Sequence, residues 1–108
     1  MKALADKFIH ALNAFDVETA LSFFARDAVI DDVSVGDAFA GVQGIRRYLE
    51  QYFVGYRAAS KLLSLEQTGA FTAVARIDFT GDFGHEIGSL GMTVNADGLI
   101  ERIDAHLE

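Results

Sequence analysis

The chain has 108 residues, enough for one domain with a continuous core, since about 100–150 residues is the common domain size. It has no Cys, which excludes a disulfide framework and thiolate metal sites and makes a reducing compartment the default expectation. Nine Lys and Arg against 16 Asp and Glu give a formal net charge of -7, and Arg46-Arg47 is the only adjacent cationic pair, so nucleic acid and anionic membrane are not expected partners.

The first residues, MKALADKFIHALNAFD, are interrupted by a polar side chain every few positions. They lack the apolar stretch of a signal peptide, and no run reaches the roughly 18–20 apolar residues of a membrane span. A cytoplasmic protein is the expectation. In chain order, Leu4, Phe8, Ala11, Leu12 and Phe15 recur at helical spacing and predict a helix over residues 3–14. Asp16 reads as an N-cap and Glu18 as a first-turn acid of a second helix, residues 17–25, with Leu21, Phe24 and Ala25 on its apolar stripe. Residues 28–35 read as a strand, and Gly36 and Gly41 bracket an irregular segment. A third helix is predicted over 42–57, with Ile45, Leu49, Tyr52, Phe53 and Tyr56 on one face.

The period then changes. Residues 61–67 read as a strand, and 71–80 alternate strictly, with Phe71, Ala73, Ala75, Ile77 and Phe79 on one face and Thr72, Arg76, Asp78 and Thr80 on the other. Gly81-Asp82-Phe83-Gly84 and Asn95-Ala96-Asp97-Gly98 are turn sequences, separating strands at 85–94 and 99–107. Helices first, then hairpin-linked strands, predict an α+β domain in which three N-terminal helices cover the concave face of a curved antiparallel sheet.

Several chemistries find no support in the pattern. His10, His85 and His106 come from separate elements without metal spacing, so no metal and no other cofactor is expected. No helix follows the glycines at 81, 84, 88 and 91, so they form no phosphate loop, and Ser22, Ser60 and Ser64 sit in no nucleophile elbow.

The stretches Phe8 to Asp16, Phe24 to Asp32, Gly41-Val-Gln-Gly-Ile-Arg46 and Asn95-Ala-Asp-Gly-Leu-Ile-Glu101 resemble motifs of the NTF2-like superfamily. Within it, the chain is similar to the ketosteroid isomerases and the SnoaL-like polyketide cyclases. The resemblance implies a cone-shaped fold around a hydrophobic pocket and a general base at Asp32. It also implies two oxyanion donors, a tyrosine and a protonated carboxyl, but those positions fall on Phe8 and Leu90; network tyrosines fall on Phe24 and Leu49. One lost oxyanion donor typically costs about 10²–10³ in rate, so ketosteroid isomerisation itself is not expected. Tyr48, Tyr52 and Tyr56 offer replacement phenols, and Tyr52, on the face of Leu49, is the first choice. Asp32 itself reads either as a base or as a strand-end cap.

Alternation together with the cone shape predicts a pocket for a small apolar molecule, lined by Phe8, Leu12, Phe24, Leu49, Tyr52, Phe53, Ala73, Ala75, Ile77, Leu90, Met92, Ile103, Ala105 and Leu107, with small side chains at 73 and 75 leaving room. The opposite face carries Val74, Arg76, Asp78, Ile87, Ser89, Arg102, Asp104 and His106, a mixture suited to a homodimer contact. Two classes of function stay open: an isomerase or cyclase working through Asp32 without metal, and a non-catalytic module for apolar-ligand binding or dimerisation.

Overall fold

In the computed structural model, which describes residues 1–108, Lys2–Asn13 form α1, and Ala5, Phe8, Ile9, Ala11 and Leu12 are buried along its inner face. The Asp16 carboxylate caps the next turn, accepting from the Thr19 amide at 3.1 Å and the Thr19 hydroxyl at 2.7 Å. The helix it starts, α2, is short, Val17–Leu21. Residues 24 and 25, expected in that helix, open strand β1, Phe24–Asp32. A run this short fits both periods, and tertiary pairing decides: the Phe24 backbone lies opposite Ile100, and its ring meets Phe8 edge-on at 5.5 Å.

Asp37–Ala40, expected to be irregular, form β2, whose Phe39 is buried. α3 is regular from Gly41 to Leu49 and continues as a π-helical segment, Glu50–Val54, so the predicted single helix to 57 changes register in its second half. That segment ends at Gly55, whose amide donates to the Glu50 carbonyl at 2.7 Å. A Cβ at Gly55 would lie 2.5 Å from the Gln51 carbonyl oxygen, so only glycine passes there. Strands β3 (Ala59–Gln67), β4 (Thr72–Gly81), β5 (Gly84–Val94) and β6 (Ile100–Leu107) follow.

The six strands form one sheet in the order β2-β1-β6-β5-β4-β3. It is mixed rather than wholly antiparallel, because β1 runs parallel to β6. Hairpin logic fixes only consecutive strands, and β1 and β6 come from opposite ends of the chain. The alternation of β4 to β6 sets the inner face as expected. Ala75 lies opposite Leu90 and Leu90 opposite Ala105; Ala73 lies opposite Met92 and Met92 opposite Ile103. Leu90 thus sits between two alanines and Met92 between Ala73 and Ile103, and all six are buried. No helix is long and apolar enough to cross a membrane.

Candidate functional site

Asp32 ends β1 with 7% of its surface exposed. The chain turns directly after it, and the turn is written into the residue types: Asp followed two positions later by Ser forms an Asx turn. Oδ1 accepts from the Ser34 amide at 2.9 Å and the Ser34 hydroxyl at 2.6 Å. Oδ2 accepts from the Tyr48 hydroxyl at 2.6 Å. A carboxylate has roughly four acceptor positions, so Oδ1 is saturated and Oδ2 retains one. Asp31, on the opposite face, accepts instead from Arg102 at 3.3 Å.

Tyr48 is buried on α3. Its phenol is held well above the ordinary range, first by burial, then by its hydrogen bond to Asp32 and by the charge there. It is therefore a donor at neutral pH. This phenol, rather than Tyr52, reaches the carboxylate. Its signal in the sequence was its spacing, three residues after Ile45 and four before Tyr52, which puts all three on one side of the helix.

Beside Asp32 lies a cavity of about 250 Å³. The turn after β1 contributes Ser34 and Val35, α3 contributes Tyr48, its π-helical continuation Tyr52 and Phe53, the segment after it Tyr56 and Ala58, the sheet Phe79, Glu86 and Leu107, and the β4–β5 turn Phe83. Its volume falls just below the about 300–1,000 Å³ of usual ligand sites, which suits a small molecule. Gly88 makes the floor possible: a Cβ there would lie 2.9 Å from the His106 carbonyl oxygen and 3.1 Å from the Phe79 ring, so Phe79 and Leu107 lie across the strand only over glycine.

The aromatic rings form a continuous chain. Tyr48 meets Phe39 at 5.0 Å, Tyr52 at 5.2 Å and Phe53 at 5.9 Å; Tyr52 meets Tyr56 at 6.1 Å, and Tyr56 meets Phe83 at 5.8 Å. Tyr56 and Phe83, 42% and 40% exposed, form the rim. There the tip of the β4–β5 hairpin is tied to the end of helix 3, with the Asp82 amide donating to the Tyr56 carbonyl at 2.9 Å and Arg57 donating to both Asp82 oxygens.

Of the pocket residues expected from the sequence, Tyr52, Phe53 and Leu107 stand with Asp32 around this cavity. Phe8, Leu12, Phe24, Leu49, Ala75, Ile77, Leu90, Met92, Ile103 and Ala105 are instead packed in the core, and Ala73 is likewise buried. Their small members leave no room because the larger side chains opposite fill it. Leu12 and Leu49 flank a void of about 10 Å³, space for at most one water. Ser34, Tyr48, Phe79, Phe83 and Glu86 were not among the expected wall residues. Ser34 and Phe83, on turns, lie outside any periodic pattern, whereas Phe79 and Glu86, opposite each other, share the inward alternation of β4 and β5, which does not tell cavity wall from core.

The remaining charged groups lie elsewhere. Arg102 bonds Asp104 and Asp31 on the convex face, His85 sits 2.6 Å from Asp78, and Arg76 pairs with Glu108. A groove of about 490 Å³ beside α1 and α2 is lined mainly by polar side chains such as Asp6, Lys7 and His10.

Residues 5–103 match the family described as the SnoaL-like domain. No curated protein matches the chain. Among solved structures, a provisionally named polyketide cyclase from Sinorhizobium meliloti superimposes with a TM-score of 0.86 at 23% identity, over 95% of this chain and 93% of its own. A provisionally named ketosteroid isomerase from Kribbella flavida gives 0.85 at 21% identity, over 98% and 76%. A Mycobacterium tuberculosis protein in complex with estradiol-17beta-hemisuccinate gives 0.82 at 18% identity, over 95% and 89%. At these identities the likeness is one of fold.

Proposed function

The chain belongs to the SnoaL-like domain family, and on that premise we propose that it is a proton-transfer enzyme acting on a small, largely apolar molecule, with Asp32 as general base. One observation carries the reading. Asp32 is a buried carboxylate on a cavity wall, fixed by three donors, with acceptor capacity left on Oδ2. A base held in one geometry is what proton abstraction requires. Tyr48 and Ser34 position that base. Their hydroxyls are already given to Asp32, so the side-chain donors left for a substrate oxygen are Tyr52 and Tyr56.

A binding protein without turnover is the second reading. It is favoured by Phe8 and Leu90, which fill with packed hydrocarbon the places where the resemblance puts oxyanion donors. The two readings separate in deuterium oxide. Carbonyl compounds, polyketide-like aromatics and epoxides are incubated with the protein, and C–H exchange and product are followed by NMR. Catalysis through Asp32 predicts exchange or turnover that drops at least about 10²-fold in Asp32→Asn. Exchange that survives the substitution removes Asp32 from the mechanism, and binding without exchange leaves the binding protein.

The convex face, with Val74 and Ile87 among internally paired charges, supports a homodimer as a further proposal. Sedimentation equilibrium returning only the 11.7 kDa species at micromolar concentration removes it.

A further inference from the structure

The charge of the cavity wall is one-sided. Asp32 and Glu86 are its two ionisable acids, and no Lys, Arg or His lines it. Asp32 is held by three donors, but Glu86 is half-buried with neither an ion pair nor a hydrogen bond to any side chain. Arg57 at the rim is already paired with Asp82 through two bonds, and Arg47 lies over the Phe39 ring, 4.9 Å from its centroid, rather than on the wall. A carboxylate that loses its water to an entering ligand is stabilised by a cation beside it. Nothing in the chain supplies one.

The rest of the wall is suited to the same kind of charge. Six of its 12 residues are aromatic, and ring faces carry negative potential that attracts a positive nitrogen, most strongly where water is excluded. A neutral ligand would gain from the rings' apolar area and nothing from Glu86. An anionic ligand would face both carboxylates.

We propose that the cavity takes a small organic cation, a substituted ammonium group on an apolar body, with Glu86 as counter-charge and Tyr52, Tyr56, Phe79 and Phe83 as the walls around the nitrogen. The inference rests on the reading of this cavity as the ligand site and narrows the ligand to one charge class.

Three probes of similar size and different charge test it: benzyltrimethylammonium, benzyl alcohol and benzoate, each titrated by calorimetry and by NMR shifts of the cavity residues. The cation is expected to bind at least about tenfold more tightly than the alcohol, and benzoate most weakly. Glu86→Gln is expected to lower cation affinity about fivefold or more and to leave the alcohol unchanged. Tyr56→Leu, which keeps apolar bulk and removes a π face, should weaken the cation more than the alcohol. Because Glu86 has no side-chain partner to lose, its substitution leaves the fold intact, which circular dichroism checks. Alcohol binding as tight as the cation, or a cation indifferent to Glu86→Gln, overturns the proposal while leaving a ligand site in place. No probe of any charge perturbing the cavity residues removes the ligand site and the proposal together.

Discussion

The concave face of one sheet has two ends built by opposite rules. At the end bearing Phe24, Ala73, Met92, Ile100 and Ile103, every inward side chain meets another, and helices α1 and α3 close over them. At the end bearing Asp32, Phe79, Glu86 and Leu107, the same strands carry acids and rings around empty space. The helix above changes with the sheet below: α-helical hydrogen bonding gives way to the π-helical segment as it passes over the cavity. Segments of this kind are frequent at functional sites, since they turn side chains out of the ordinary register. One end is therefore where stability is concentrated, and the other is where packing has been given up for a site.

Truncation should separate the two ends most sharply. Leu49→Ala, at a side chain 1% exposed, is expected to cost about 2–5 kcal/mol in denaturant unfolding. Phe83→Ala, at a rim side chain 40% exposed, is expected to cost about 1 kcal/mol or less. Equal losses would show that the rim belongs to the packed core and would end the comparison.

Next in size is the bond that ties α3 to the end of β1 at the cavity. Tyr48→Phe leaves the Asp32 carboxylate buried with one donor fewer, at a cost of about 1–3 kcal/mol. If Tyr48→Phe is neutral, the Asp32 carboxylate draws its support from Ser34 alone, and Tyr48 belongs to the packing.

The same phenol gives stability a pH dependence. Burial raises the folded-state pKa of Tyr48 above its ordinary value of 10.0. Above about pH 10 the unfolded chain therefore binds fewer protons than the folded one, and stability falls as pH rises. The contribution of Tyr48 is fully present below that pH and is lost as pH climbs toward the raised value. Urea midpoints at pH 8, 10 and 11 should decline less steeply in Tyr48→Phe than in the parent chain. Parallel declines would mean that the phenol is not buried as described.

What the sequence made legible follows the same division. Strict alternation in residues 71–80 sorts the two faces of β4, and Asp16 announces the start of α2 through its side-chain chemistry. Both are local signals. The parallel pairing of β1 with β6 joins segments some 70 residues apart, and no periodicity records it. Nor does alternation distinguish an inward side chain that meets a neighbour from one that meets a void: Leu90 and Leu107 both lie on the inward face of the sheet, yet one is core and the other cavity wall. The position of Asp32 came from a resemblance. Its partner Tyr48 came from the fold, because the choice among three tyrosines four residues apart depends on where the helix crosses the end of β1.

The smallest expected effect tests whether the rim is held under strain. Arg57 follows the helix that roofs the cavity and has φ 51, in the left-handed region where a side chain is disfavoured. Its ion pair with Asp82 is exposed and worth about 0–1 kcal/mol. Arg57→Ala loses the pair and keeps the strain, whereas Arg57→Gly loses the same pair and relieves it. The left-handed conformation costs a non-glycine residue about 1–2 kcal/mol, and glycine's freedom in the unfolded chain takes back about 0.5–1 kcal/mol. The glycine variant should therefore be more stable than the alanine variant by about 0.5–1 kcal/mol, a difference in which the lost ion pair cancels. Paired urea titrations resolve it. Alanine equal to or more stable than glycine would mean that residue 57 leaves the left-handed region in solution, and that the hairpin tip is held to helix 3 by the bond from the Asp82 amide to the Tyr56 carbonyl and by the Tyr56–Phe83 contact alone.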